Sequence, residues 1–269
     1  MEVNKFPSVS FKKRVRSMLK VDFKRMLILP FYYIMLGISI IIPILVLVMT
    51  TLMAGTETID QVTGNPVVME QLFTNVWQAI GTIPGNSSEM TLGITTMCNI
   101  DMMFFAVAVL VCVFIGDEFR SGYSKNLFTV RSSKTDYVVS KTIVCFVGGV
   151  TLIIGYFIGA LIGGAIANLS FALEGINIIN IIMCILSKIL LVGVFVPIYL
   201  VMSVVGKQKT WLSMVLSLSL SMLLFMMVSS ISPLNSTLIN VILCSAGAVL
   251  FSVGLGTISN KILKTTSLV

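Results

Sequence analysis

Few side chains in this chain can do chemistry, and their spacing excludes most of what they might do. No histidine occurs in its 269 residues, which removes His-dependent triads, His-ligated zinc and the HExxH metalloproteases. No G-x-x-x-x-G-K-[ST] segment is present to cradle a nucleoside triphosphate. An intramembrane aspartyl protease needs two facing aspartates, whereas Asp101 lies near one end of an apolar run and Asp117 near the other. The five cysteines, Cys98, Cys112, Cys145, Cys184 and Cys244, sit in or beside apolar segments without paired or metal-ligand spacing, so they read as small hydrophobes. The chain is therefore expected not to be an enzyme and to hold no metal.

Two ionisable residues stand apart. Lys188 is the one base inside an apolar segment, and Asp101 lies about two turns into another. A charge within hydrocarbon is costly enough to be functional by default, so one expectation is a substrate or proton path through Lys188 and Asp101. The other is that Lys188 snorkels outward or meets a structural partner, with Asp101 at the outer interface. Ile189 to Val205 is already close to the shortest length that spans.

The elements that must position these residues follow from composition. With 57% hydrophobic residues, 11% charged residues and a mean hydropathy of +1.03, the chain exceeds what a water-facing surface tolerates. Six apolar spans are expected, at about Phe31 to Ala54, Leu92 to Ile115, Thr142 to Ala167, a fourth ending near Val205, Trp211 to Ile231 and Leu238 to Ile258. Threaded this way, 17 of the 18 Lys and Arg residues fall on one side, the exception being Lys188. Bases resist translocation, so that side is expected to be the cytoplasm, with both termini there. The net charge of +7 lies beside the spans, where it suits anionic headgroups rather than nucleic acid.

Residues 1–29 form the first region. Phe11, Val15, Leu19 and Phe23 recur at every fourth position beside Lys12, Arg16, Lys20 and Lys24, which predicts an amphipathic interfacial helix on the inner leaflet. Residues 30–269 form the second, an all-α membrane domain. Pro43 is expected to kink its first span. The external loop 55–91 carries Glu57, Asp60, Glu70 and Glu89 but no base, and Val68, Leu72, Val76 and Ile80 suggest a short helix within it. Gly155, Gly159 and Gly163, and likewise Ser213, Ser217 and Ser221, mark faces where helices approach closely, either as packing seams or as a subunit interface. Three N-x-[ST] matches, at Asn86, Asn168 and Asn235, fall outside and are treated as silent.

The cytoplasmic loop 116–141, taken with Phe114 and Ile115, resembles the corresponding segment of ABC-2 type permeases, the membrane subunits of ATP-binding-cassette exporters. In that family an acid leaving the second span precedes a glycine, a small-apolar run, a Ser-Arg type pair and a Ser-Lys opening the third span. Here these are Glu118, Gly122, Ser133 with Lys134, and Ser140 with Lys141. The chain departs from the pattern at Tyr123, where threonine is common, and at Lys134, where arginine is commoner. The external loop is similar to that of small bacterial permeases for peptide-antibiotic resistance and lantibiotic immunity.

The resemblance implies a half-transporter in a bacterial plasma membrane. It would pair with a second identical or related permease above two cytoplasmic ATPase subunits, which bind the ATP and Mg; this chain needs no cofactor. A short helix around Ser121 to Phe128 would seat in a cleft of the ATPase, with Glu118, Phe119, Arg120, Gly122, Tyr123, Lys125 and Phe128 forming the coupling loop. Exposed aromatics would supply affinity there and charges the register. The implied cargo is an amphipathic or hydrophobic substrate such as an antimicrobial peptide. The alternatives from other classes are a secondary transporter or channel, which should carry several ionisable groups at mid-bilayer, and a nontransporting scaffold or sensor.

Overall fold

A computed structural model describes residues 10–59, 66–69, 71–81, 98–130, 133–173, 176–207 and 209–265. Asp60, Glu70, Glu89, Glu174, the Asn86 sequon and the expected start of the second span at Leu92 lie outside these residues. Among the described residues the protein is almost wholly helical: α1 (Phe11–Ile28), α2 (Pro30–Met53), α3 (Met103–Arg120), α4 (Tyr123–Val130), α5 (Lys134–Ile166), α6 (Ile178–Gly206), α7 (Thr210–Ile231) and α8 (Leu238–Thr265). Six of these helices, α2, α3 with its preceding turn, and α5 to α8, are long and apolar enough to cross a membrane. The only strands among the described residues are Glu57–Ile59 (β1) and Pro66–Val68 (β2), an antiparallel pair beyond α2.

Proline and glycine set the breaks. Pro30 occupies the first position of α2, where its missing N–H costs nothing, and it holds Leu29 in extended backbone (φ −70°, ψ 114°), which ends α1. Pro43 and Pro197 lie inside continuous helices. Gly122 has φ +73°, a left-handed conformation that turns the chain from α3 into α4. The backbone N–H of Ser121 and of Gly122 donate to the carbonyls of Asp117 and Phe119, closing the end of α3.

Two expectations are corrected. The span ends are misplaced, because α3 runs on to Arg120 and α5 begins at Lys134. Most of segment 116–141 is therefore the last turn of one span, a two-turn helix and the first turns of the next. Of the charges in that segment, Glu118, Asp136 and Lys141 are instead buried and paired inside helix ends, while Arg120 and Lys125 stay exposed. Nor does the external loop hold a helix from Val68 to Ile80. Val68 is in β2, and only Val76–Ala79 makes a 3-10 turn. Asn75 caps that turn from extended backbone, its side chain accepting from the Trp77 N–H at 3.0 Å, so a helix cannot arrive from upstream.

The core lies where α3, α5 and α6 meet, with α2 against α5, α7 against α3 and α6, and α8 against α6. The glycine stripe is the α2–α5 seam within this one chain. A Cβ on Gly159 would stand 2.2 Å from the Ile40 carbonyl oxygen, one on Gly155 2.5 Å from Ser39 Oγ, and one on Gly163 2.8 Å from Ile44 Cα. The serine stripe is a second internal seam. Ser217 Oγ lies 3.2 Å from Cys112 Sγ of α3, and Ser221 Oγ 2.6 Å from the Tyr199 hydroxyl of α6. Ser213 packs at Gly206, where an added Cβ would come within 2.1 Å of its Oγ.

Gly159→Leu should therefore force α2 from α5 and cost about 3 kcal/mol in thermal unfolding in detergent. Gly254→Leu, on α8 with nothing within 4 Å of the added Cβ, should be near neutral. Equal behaviour of the two variants would contradict the seam.

A candidate coupling site built on a buried charge layer

At the end of the bundle that carries most of the bases, three elements converge on Lys141. Its ammonium lies in α5, fully buried, donating to Asp22 Oδ1 of α1 at 2.7 Å and to Glu118 Oε1 of α3. Both carboxylates are also fully buried. Ser140 Oγ donates to the other Asp22 oxygen at 2.6 Å, and the Tyr137 hydroxyl to Glu118 Oε2 at 3.0 Å. Arg25 Nη1 completes the group on Glu118. Two carboxylates thus face two cations, and the group balances its own charge. Lys141 also lies 4.8 Å from the Phe114 ring centre and 5.4 Å from that of Tyr137.

The chain puts these groups together by helical spacing. Tyr137 and Lys141 are one turn apart on α5, and Val15, Met18, Asp22 and Met26 form the buried face of α1. That face is turned onto α5, and Arg14 Nε adds a pair with Asp136 Oδ2 at 2.8 Å. The stripe is rotated from the one expected on α1: Phe11 is half-exposed, and Leu19 and Phe23 are partly buried.

Of the residues assigned to the coupling loop, Glu118 and Phe119 are buried and present nothing to an external partner. Arg120 and Lys125 are exposed, while Gly122, Tyr123 and Phe128 are half-buried. Tyr123 lies under the Arg25 guanidinium at 3.9 Å, and Phe128 meets the Tyr137 ring edge-on at 5.2 Å. The two aromatic rings therefore turn α4 onto the charge layer, leaving its one charged residue, Lys125, outward. Lys134 Nζ reaches across to the Leu263 carbonyl near the end of α8, drawing the last span to the same end.

At the opposite end Lys188 does not snorkel. It is fully buried and pairs with Asp101, also fully buried, at the head of the span completed by α3. Ser232 Oγ of the α7 end lies 3.3 Å from Lys188 Nζ, and Ser229 Oγ donates to Asp101 Oδ2 at 3.3 Å. Asn99 accepts from the Asp101 N–H at 2.9 Å, leaving its own buried Nδ2 without a partner. The two candidate path residues are thus brought together as one ion pair. The described residues contain no cluster able to hold a metal ion.

Sequence reasoning missed Asp22, Arg25 and Tyr137 as members of a site and took Lys141 for a loop base. The signal present was Asp22 standing as the one acid in the stretch from Lys5 to Arg25, which holds all eight bases before Pro30. Lone removal of a partner from a buried pair costs about 3 kcal/mol or more, because the remaining charge is left unpaired in an apolar interior. Asp101→Asn and Lys188→Met should each destabilise the detergent-solubilised protein by that amount, and the double variant should recover most of the loss. A double variant no better than either single one would show that the pair is not coupled.

Comparison with protein-family models, with curated proteins and with solved structures finds no match for this chain.

Proposed function

We propose that this chain is the permease subunit of an ATP-binding-cassette exporter of the ABC-2 type, moving an amphipathic or hydrophobic substrate with ATP bound on separate subunits. The observation that carries the proposal is the arrangement of α4. It is a two-turn helix clamped between the ends of two apolar helices, with Arg120 and Lys125 exposed and its rings fixed to the charge layer below. Force on such a helix is passed to α3, α5 and α1 together, since Glu118, Lys141 and Asp22 join all three. That is what a lever between an ATPase and a pore requires.

In this account the basic end faces the cytoplasm of a bacterial plasma membrane. The exposed bases of α1, Lys12, Lys13, Arg16, Lys20 and Lys24, lie against anionic headgroups while its other face holds α5. Two cytoplasmic ATPases with their Mg and ATP seat on α4, and a second permease subunit, identical or related, completes the path. Antimicrobial peptides are the proposed cargo class. A secondary carrier is the rival, favoured by the buried Lys188–Asp101 pair, since intramembrane ionisable pairs also mark ion-coupled sites.

The test is affinity purification of the tagged chain from its native membrane in mild detergent, with mass spectrometry of what stays bound. A stoichiometric ATPase is expected, lost at least tenfold in Arg120→Glu/Lys125→Glu, which reverses both outward charges. A chain that is reproducibly alone, with substrate flux that follows an ion gradient, would favour the carrier.

A further inference from the structure

Outside the two ionic layers, a groove of about 570 Å³ lies between α5, α6 and α8. Its walls include Val138, Phe146, Leu190, Gly193, Val249 and Val253. The hydroxyls along it are turned back to backbone: Thr142 donates to the Val138 carbonyl at 2.9 Å, Ser252 to Gly193 at 3.3 Å and Thr257 to Gly254 at 2.6 Å. The inner surface is therefore apolar along its length. From Ala248 to Asn260 it follows 13 residues of α8, a rise of about 18 Å, comparable to one leaflet of a hydrocarbon core roughly 30 Å thick.

The two ends differ. The far end is apolar, whereas the end at the charge layer closes on Thr135 and Asn260. Asn260 gives its amide to Thr135 Oγ1 at 3.1 Å, and its buried Oδ1 accepts no hydrogen bond. Lys264 continues the same helix face one turn beyond Asn260, and Lys261 stands one turn beyond Thr257; both are exposed. An apolar slot one leaflet deep, with a free acceptor and two cations at its mouth, has the polarity of a single phospholipid.

We propose that this groove binds an anionic phospholipid, one acyl chain lying between α5 and α8, its phosphate beside Lys261 and Lys264, and a headgroup hydroxyl donating to Asn260 Oδ1. Paired cations at headgroup level select charge, and the apolar slot selects a chain rather than a free phosphate. The lipid then covers the edge where α8 meets α5.

The test uses the full chain in nanodiscs of equal phosphatidylglycerol and phosphatidylcholine, released gently and weighed by native mass spectrometry. Phosphatidylglycerol should stay bound at one per chain, about tenfold over phosphatidylcholine. Gly256→Leu, whose Cβ meets only Val138 Cγ1 at 3.8 Å, should fill the slot and release the lipid without loss of thermal stability. Val249→Trp repeats the obstruction from an exposed position. Lys261→Gln/Lys264→Gln should abolish the preference for phosphatidylglycerol. Undiminished retention in both obstructed variants, equal retention of the two lipids by the unaltered chain, or a dimer that dissociates when the groove is filled would each overturn the proposal, the last assigning the groove to a second copy.

Discussion

A lysine ammonium held out of water between two carboxylates is the constraint on which the rest of the arrangement depends. Lys141 cannot keep its charge in an apolar interior unless Asp22 and Glu118 stay in place, and neither acid can stay charged there without a cation. Because the three residues come from α1, α5 and α3, the requirement fixes a helix outside the six spans to the ends of two of them. Tyr137, Ser140 and Arg25 satisfy the remaining acceptors, so that the network is closed rather than half-made.

The structure is clamped at both ends by ion pairs and zipped between them by small residues. Lys188 with Asp101 joins α6 to the head of the second span, and Ser229 and Ser232 bring in the end of α7. Between the two layers, glycine lets α2 touch the α5 backbone, and serine joins α7 to α3 and α6. Packing of this kind is what holds helices together where lipid removes the hydrophobic drive between them. It leaves broad apolar faces on α2 and α8, from Ile34, Ile41 and Leu45 to Ile239, Leu250 and Val253, as surfaces for lipid or for another subunit.

Hydropathy made the six spans legible, and four-residue spacing of glycine and serine made the seams legible, because both are local properties of the chain. The ends of the spans were not. A window that counts charges treats Glu118 and Lys141 as loop residues, and only a partner distant in sequence turns them into buried groups. Asp22 shows the same limit, since its carboxylate meets a lysine 119 positions away. The helix expected from Val68 to Ile80 failed for a local reason, the Asn75 cap, which spacing of apolar residues does not register. Lys188 was visible as an anomaly, and Asp101 as another, but their pairing depends on which helix faces which.

Amide hydrogen exchange measured over α1 and α4 tests the charge layer most directly. The account predicts slow exchange in α1 comparable to the adjoining ends of α3 and α5, and simultaneous loss of protection in α1 and α4 when Lys141→Met removes the shared cation. An α1 that exchanges freely in the unaltered protein, or that is released by the substitution while α4 stays protected, would contradict it.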